Sequence, residues 1–182
     1  MLGSRFVFLD RDGVLVRDVG YGHRLDDYEL LPGVIESLQL LRTAGFRFAI
    51  VTNQSGIARG IFSEQDFRRF HDRLLADLAA GGIRIDATYM CPHLPDAGCE
   101  CRKPNPAPLF HARDRFGIDL QGSWMIGDHV SDVVLAANAG CRGILVLTGH
   151  GVEEQRRLGD TPVDAVVEDL PAAARHILRR DA

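Results

Sequence analysis

The strongest constraint on the fold is an alternation of short apolar runs with longer amphipathic segments. The runs at 5–10 and 47–53 are rich in Phe, Val and Ile, as in buried strands, and the segment at 32–45 between them has helical spacing. The alternation continues, with helices predicted at 63–80, 107–116 and 131–139, strands at 86–91, 123–128 and 143–149, and a last strand and helix within 164–180. Because strands joined by helices imply right-handed crossovers, the sequence predicts an α/β fold with a doubly wound, mostly parallel sheet.

The length and composition suit a single domain that covers residues 1–182. Of the 182 residues 46% are apolar, and no insertion between the strands is large enough for a separate lid domain. The net charge of −4 comes from 25 acidic and 21 basic residues mixed along the chain, which argues against a nucleic-acid partner. The apolar run from Phe6 to Leu9 is too short for a signal sequence or a membrane span. We expect a cytoplasmic monomer without a membrane partner.

Polar residues stand at the carboxyl ends of the predicted strands, where parallel sheets bind their ligands. These residues are Asp10, Thr52, Asn53 and Asp128. Asp12 follows Asp10 by two positions, so an extended backbone points both carboxylates to the same side, and Gly13 then allows a tight turn. Alone, this Asp-x-Asp-Gly pattern also fits an ordinary turn or a fragment of a calcium-binding loop.

Four segments together narrow these alternatives. FLDRDG ends the first predicted strand, VTNQSG ends the second, the basic pair Arg102 and Lys103 follows, and MIGDHVSD comes last. In this order, over nearly the whole chain, they resemble the motifs of the haloacid-dehalogenase-like phosphatases. The resemblance implies a Rossmann-like sheet without a large cap domain. It also implies a role for each motif residue: Asp10 as nucleophile, Asp12 as general acid and base, Thr52 and Asn53 as phosphate ligands, Lys103 as counter-charge, and Asp128 as magnesium anchor.

The hydrolysis of a phosphate ester requires the same chemical groups. A carboxylate nucleophile splits the displacement into two steps, and a neighbouring acid can protonate the leaving oxygen and later accept a proton from water. Carboxylates that face a phosphate repel it, so a cation is needed between them. Mg²⁺ prefers oxygen ligands, which Asp10, Asp128 and the backbone carbonyl of Asp12 can supply, and Lys103 adds positive charge.

Two positions beside Asp128 are open to more than one interpretation. Asp132 lies one helical turn later, and we expect it to support the site rather than to bind the metal, the alternative being an exposed acid at a helix start. His129 stands where similar members of the family have Lys. The sequence does not decide whether position 129 carries a charge.

A metal-binding loop is predicted between the second and third motif regions. The segment MCPHLPDAGCECRKP contains four soft or borderline ligands, Cys91, His93, Cys99 and Cys101. In a reducing compartment this pattern favours tetrahedral zinc over a disulfide or free thiols. Because four protein ligands leave no position for water, we expect a structural Zn²⁺ that holds Arg102 and Lys103 toward the phosphate.

The remaining cysteine and histidines have no partner that the sequence reveals. We expect Cys141 to be a small buried residue at the start of a strand. The other histidines are interpreted as ordinary surface or half-buried residues: His71, His111, His150 and His176.

The expected substrate is a small phosphorylated sugar. Within the family, the motifs are similar to those of sugar-bisphosphate phosphatases, but histidinol-phosphate phosphatases share the first motif and a very similar zinc loop. The stretch SGIARG favours the sugar bisphosphate, because Arg59 and Arg102 are then available to bind a second phosphate. The alternative for Arg59 is that it only caps or solvates its loop.

Two other classes of protein fit less well. A zinc-loop module that binds nucleic acid or protein leaves the four motifs unexplained. A catalytically inactive relative is disfavoured because every motif residue is present.

Overall fold

The computed structural model describes residues 3–181, in which strands and helices alternate. The strands are β1 (Phe6–Leu9), β2 (Arg47–Asn53), β3 (Ile85–Cys91), β4 (Trp124–Gly127), β5 (Arg142–Val146) and β6 (Ala165–Val167). The helices are α1 (Val34–Thr43), α2 (Glu64–Ala80), α3 (Ala107–Phe116), α4 (Val130–Ala139), α5 (Gly151–Gln155) and α6 (Leu170–Arg180). A single turn of 3₁₀ helix covers Leu25–Asp27.

The strands form one parallel sheet in the order β3-β2-β1-β4-β5-β6. The chain winds outward from β1 to β3, returns to the other side of β1 as β4, and then continues to β6. This arrangement confirms the predicted α/β, doubly wound fold, and the segments between the described strands add no cap domain. The winding changes direction between β1 and β4, which is where such sheets bind ligands, beyond the carboxyl ends of the strands.

Two apolar cores cover the two faces of the sheet. The side chains of β1 point alternately to the two faces, so Val7 and Leu9 pack in the first core and Phe6 and Phe8 in the second. The first core includes buried residues of α1, α2 and α6, and the second includes residues of α3 and α4. Cys141 is buried in the second core, as predicted.

The bounds of the elements differ from the predicted ones mainly after β4. The strand β5 ends at Val146 and not at 149, because Leu147 to Gly149 turn over the carboxyl edge of the sheet toward the first strand. The short helix α5 follows this turn and was not predicted. None of the helices in the described part of the chain has the length and apolar character that crossing a bilayer requires.

Candidate active site

A cavity of about 360 Å³ lies beyond the carboxyl ends of the central strands. Six residues that the sequence analysis selected line it: Asp10, Asp12, Thr52, Asn53, Arg102 and Lys103. The cavity is also lined by residues that the motifs did not single out for it: Asp18, Gly20, Tyr21, Gln54, Ser55, His129, Ser131 and His150. The carboxyl ends of β1 and β2 therefore meet the loop before α3 and the start of α4, which brings the four motifs together.

Lys103 places a buried positive charge beside the first carboxylate. Its Nζ lies 2.9 Å from Asp10 Oδ2 and 2.7 Å from Asp132 Oδ1, and it donates a hydrogen bond to the carbonyl of Val51 at 3.0 Å. Burial by itself lowers the pKa of Lys103, but the charges of Asp10 and Asp132 outweigh it and raise the pKa above its ordinary value. Lys103 is therefore a fixed cation at the floor of the cavity.

The backbone around Lys103 is held by the end of β2. Asn53 Oδ1 accepts a hydrogen bond from the Lys103 N–H at 3.1 Å, and Asn53 Nδ2 donates to the Lys103 carbonyl at 3.3 Å. This paired contact joins two segments that are 50 residues apart in sequence. Asn53 thus fixes the position of the lysine, in addition to lining the cavity.

Asp132 lies under the site and not on the surface. It is fully buried, and its Oδ2 accepts a hydrogen bond from the backbone N–H of His129 at 3.1 Å. Burial raises the pKa of Asp132 to about 7, against the opposing charge of Lys103. A Cβ atom on Gly127 would lie 2.0 Å from Asp132 Oδ2, so only glycine leaves room for this carboxylate. These contacts fit the expected supporting role and exclude the alternative of an exposed helix-start acid.

Asp128 is enclosed by two glycines from distant parts of the chain. A Cβ atom built on Gly13 or Gly149 would lie 2.3 or 2.2 Å from Asp128 Oδ2, and both glycines have positive φ. The same oxygen accepts a hydrogen bond from the backbone N–H of His150 at 2.8 Å. Asp128 Oδ1 lies 2.7 Å from His129 Nδ1. The carboxylate is therefore held rigidly, with one oxygen directed toward a polar side chain.

The carboxylate of Asp12 accepts hydrogen bonds from two side chains that the sequence analysis did not select. Arg11 Nε and Nη2 both donate to its carboxylate at 2.9–3.2 Å, and Gln54 Nε2 donates to its Oδ2 at 2.8 Å. Gln54 Nε2 also donates to Thr52 Oγ1 at 2.8 Å. Burial raises the pKa of Asp12, while Arg11 opposes this rise and the nearby charge of Asp10 adds to it.

A group of carboxylates at the floor of the cavity could hold a divalent cation, although Asp128 and Asp132 are fully buried and do not line the cavity. Ligand atoms of Asp10, Asp128, His129 and Asp132 lie within 4.8 Å of one another. Mg²⁺ prefers oxygen, so the three carboxylates suit it better than the His129 ring, and Asp10 and Asp128 are the two that the sequence analysis expected as ligands. Burial lowers the pKa of His129, but its hydrogen bond with Asp128 and the surrounding carboxylates raise it to about 9.

The four ligands of the predicted zinc loop converge. The sulfur atoms of the three cysteines lie 3.0–3.6 Å from one another, and His93 Nδ1 lies 3.2 Å from Cys101 Sγ and 3.6 Å from Cys91 Sγ. Ligand atoms around tetrahedral zinc, with Zn–S bonds of about 2.3 Å, are about 3.5–3.8 Å apart. All three cysteines are free thiols and not disulfides. The donor set therefore fits Zn²⁺, and the Cys91–Cys101 and His93–Cys101 distances are shorter than the zinc-bound range.

Of the two arginines that the sequence analysis proposed for a second phosphate, the structure places only one at the cavity. Arg102 lines the cavity and donates from Nη1 to the carbonyl of His93 at 3.1 Å, whereas Arg59 is exposed and does not line it. His150, which was interpreted as an ordinary residue, lines the cavity, and its Nε2 lies 3.2 Å from Asp18 Oδ2. His150 is exposed, as interpreted, and only its place at the cavity was missed, because the turn that carries it over the sheet has no distinctive sequence pattern. His71, which was interpreted in the same way, is buried.

Comparisons with known families agree with the arrangement of the site. A family described as haloacid dehalogenase-like hydrolase matches residues 7–70, and one described as HAD-hydrolase-like matches residues 100–173. The first match contains the Asp10 and Asn53 segments, and the second contains the Lys103 and Asp128 segments. The two matches thus cover the two halves of the cavity.

Individual relatives are similar over almost their entire length. The chain is 40% identical over 181 residues to a D-glycero-beta-D-manno-heptose-1,7-bisphosphate 7-phosphatase of Yersinia pestis, covering 93% of this chain and 94% of the relative. It is 39% identical over 178 residues to the protein of that name from Escherichia coli K12, covering 93% of each. A crystal structure of D,D-heptose 1,7-bisphosphate phosphatase from B. bronchiseptica, complexed with magnesium and phosphate, has a TM-score of 0.88 at 38% identity and covers 97% of this chain and 99% of that one.

Proposed function

This chain belongs to the haloacid-dehalogenase-like hydrolases, and we propose that it is a magnesium-dependent phosphatase of D-glycero-D-manno-heptose 1,7-bisphosphate that removes the 7-phosphate. The observation that carries the proposal is the pairing of Asp10 with Lys103 on the floor of a cavity that Asp12 also lines. A carboxylate nucleophile beside a fixed cation suits attack on a phosphoryl group. Relatives with about 40% identity carry the name of this activity.

The first step transfers the phosphoryl group to the protein. A carboxylate oxygen of Asp10 forms a bond to phosphorus as the bond between phosphorus and the sugar oxygen breaks. The electron pair of that bond goes to the departing oxygen, which takes a proton from the carboxyl group of Asp12. Lys103, together with Thr52 and Asn53 at the end of β2, holds the transferred group and balances its charge.

The second step restores the carboxylate. Asp12, now ionised, accepts a proton from a water molecule whose oxygen attacks the phosphorus of the aspartyl phosphate on Asp10. The bond between phosphorus and the Asp10 oxygen breaks, and inorganic phosphate leaves. Each carboxyl group then returns to its starting state.

Two metal ions belong to the proposal. Asp10 and Asp128, with the backbone carbonyl of Asp12, would hold Mg²⁺, which supplies positive charge against which the transferring phosphoryl group is oriented. The loop of Cys91, His93, Cys99 and Cys101 would hold Zn²⁺ for structure, since all four positions are taken by protein. The crystal structure of the relative, with magnesium and phosphate, supports the first assignment.

The choice between substrates depends on a second anion. A heptose bisphosphate carries a phosphate at each end, and Arg102 offers a guanidinium group in the cavity for the end that does not react. Arg59 is the second candidate that the sequence suggests. Histidinol phosphate, the alternative substrate, has one phosphate and an amine and would leave this positive charge without a partner. With the heptose substrate, the enzyme would serve the synthesis of nucleotide-activated heptose.

Rates on purified substrates test the proposal. We expect magnesium-dependent hydrolysis of the heptose bisphosphate with a higher kcat/KM than for histidinol phosphate, and ³¹P NMR should show that the 1-phosphate remains. A preference for histidinol phosphate would select the alternative. An absence of turnover on both substrates and on an aryl phosphate would point to an inactive scaffold.

The cellular location and assembly are also part of the proposal. We propose a single-domain monomer that acts in the cytoplasm, because the clustered Cys91, Cys99 and Cys101 suit a reducing compartment. Size-exclusion chromatography with light scattering measures the oligomeric state directly.

A further inference from the structure

We propose that Arg11, the residue between the two aspartates, is a positioning residue that holds Asp12 in its working orientation and anchors one wall of the cavity. Its side chain is completely buried, although it carries a full charge. The backbone N–H of Arg11 donates to Asp10 Oδ1 at 2.7 Å, so the residue contacts the nucleophile with its main chain and the general acid with its side chain. The inference rests on the proposed role of Asp12.

The contact with Asp12 restricts how that carboxylate can rotate. Both Nε and Nη2 of Arg11 approach both carboxylate oxygens, at 3.2 and 3.1 Å from Nε and at 2.9 and 2.9 Å from Nη2. Four contacts of similar length mean that the carboxylate edge lies across the Nε–Nη2 edge, so that both oxygens are held by both nitrogens and the rotation of the carboxylate is restricted. A single charge at the same place, such as an ammonium group, would not do this.

The guanidinium is itself held from the other side. Its Cζ lies 5.1 Å from the ring centroid of Phe67 and 4.7 Å from that of Phe70, both on α2. Aromatic faces attract a cation, and here they leave it little freedom to move. The orientation of Asp12 is therefore set by the core under the site and not only by the loop on which the residue lies.

A second contact of Arg11 reaches the cavity wall. Nη2 donates to the carbonyl of Gly22 at 3.0 Å, next to Tyr21, which lines the cavity together with Gly20 and Asp18. One buried side chain thus joins the proposed general acid to the segment against which the substrate lies. We expect the contact with Asp12 to affect kcat and the contact with Gly22 to affect KM.

A double-mutant cycle with Asp12 separates a positioning role from a merely structural one. Four proteins are compared: wild type, Arg11→Met, Asp12→Asn and the double variant, with kcat and KM measured on an aryl phosphate and on the heptose bisphosphate. If Arg11 acts through Asp12, Arg11→Met should lower kcat about 10- to 100-fold when Asp12 is present and less than about 3-fold in the Asp12→Asn background. Arg11→Met should also raise KM for the bisphosphate, with Asp12 present and in the Asp12→Asn background alike, because the contact with Gly22 does not involve Asp12.

The chain offers a matched control. Arg47 also pairs with a carboxylate, that of Asp86 at 2.9 Å, and lies over two aromatic rings, Phe6 and Phe116, but it stands at the opposite end of the sheet. Its side chain is 39% exposed, so its replacement is the milder change for the fold. Arg47→Met should leave kcat unchanged in both backgrounds.

Several outcomes would overturn the inference. Equal losses of kcat for Arg11→Met with and without Asp12 would mean that Arg11 does not act through Asp12. Full activity of Arg11→Lys would mean that a point charge suffices, whereas we expect it to recover only part of the loss. If Arg11→Met fails to fold, as circular dichroism would reveal, the same cycle with Arg11→Lys decides. Normal kcat in Asp12→Asn alone would instead contradict the proposed function.

Discussion

At the scale of single residues, the site is a balance of buried charges. Asp10, Asp128 and Asp132 bring carboxylates into a small volume, and Lys103 offsets part of their repulsion. The deficit of positive charge that remains is what a divalent cation would fill. The excess negative charge therefore lies where a metal ion and a phosphate are expected to bind together.

Replacement of the proposed nucleophile is the most direct test at this scale. Asp10→Asn is nearly isosteric at a polar strand end, so the fold should survive while kcat falls about 10⁴- to 10⁶-fold. Asp12→Asn should cost less, about 10²- to 10⁴-fold, since it removes only proton transfer. Steady-state kinetics with thermal unfolding as control measures both. A larger loss for Asp12→Asn than for Asp10→Asn would reverse the assigned roles.

His71 gives a prediction for stability that does not involve catalysis. It is buried beside Thr88, at 2.9 Å from Nε2 to Oγ1. Burial, assisted by the charge of Arg11, lowers its pKa from 6.5 to about 4, although Asp72 opposes the shift. Because the unfolded chain binds the proton more readily, the free energy of unfolding should fall as the pH decreases through this window.

The comparison with a variant isolates this contribution. Between pH 7.5 and pH 5 the wild type should lose about 2 kcal/mol more unfolding free energy than His71→Gln, which cannot titrate. Urea unfolding at the two pH values provides the measurement. Equal losses of unfolding free energy in the two proteins would mean that the pKa of His71 is not lowered in the folded protein.

At the scale of elements, the predicted zinc loop connects β3 to Lys103. Cys91 ends β3, and Cys101 is only two residues before Lys103, so any change in the loop reaches the floor of the cavity. Cys99→Ser should abolish zinc binding and reduce kcat about 10- to 100-fold through displacement of Lys103.

Cys141→Ser is the matched control for the loop, because Cys141 is also a free cysteine but lies in the second core. It should keep one zinc per chain by elemental analysis. Zinc-free protein prepared without chelators, or full activity of Cys99→Ser, would contradict the structural role.

The sequence predicted elements whose identity depends on local pattern and missed those that depend on distant packing. The bounds of β2 and α3 agree with the prediction because β2 is a continuous apolar run, while proline at the start of α3 and Gly117 just after it mark the ends of that helix. The helix α5 has only five residues, too few to show a periodic pattern. Arg11 was missed for another reason: a charged residue at a strand end is ordinarily solvated, and its burial depends on two phenylalanines of α2, more than fifty positions later.

At the scale of the whole molecule, the cavity is built by both halves of the chain across the centre of the sheet. The first half supplies Asp10 and Asn53 and the second supplies Lys103 and Asp128, because β1 lies between β2 and β4. The two family matches divide at the same place. Substrate recognition should likewise depend on residues from both halves.

Alanine substitutions of Arg102 and Arg59 test which half of the chain binds the second phosphate. Loss of a charge-assisted hydrogen bond costs roughly 1.5–3 kcal/mol, so Arg102→Ala should lower kcat/KM for the heptose bisphosphate about 10- to 150-fold and barely affect an aryl phosphate. Arg59→Ala should have the smaller effect, since Arg59 does not line the cavity. Zinc content must be measured in parallel, because Arg102 also contacts the carbonyl of His93. Equal losses on both substrates would assign Arg102 to the reacting phosphate.

The contact between the turn after β5 and the loop after β1 affects when the site can be completed during protein synthesis. Thr148 Oγ1 donates to the carbonyl of Gly13, which precedes it by 135 residues, and Gly149 packs against Asp128. During translation, the loop that carries Gly13 is made before Asp128 and before the turn at 147–149 that packs against it. A chain shortened before Asp128 would lack both of these contacts. We therefore expect such a shortened chain to show no magnesium-dependent phosphatase activity.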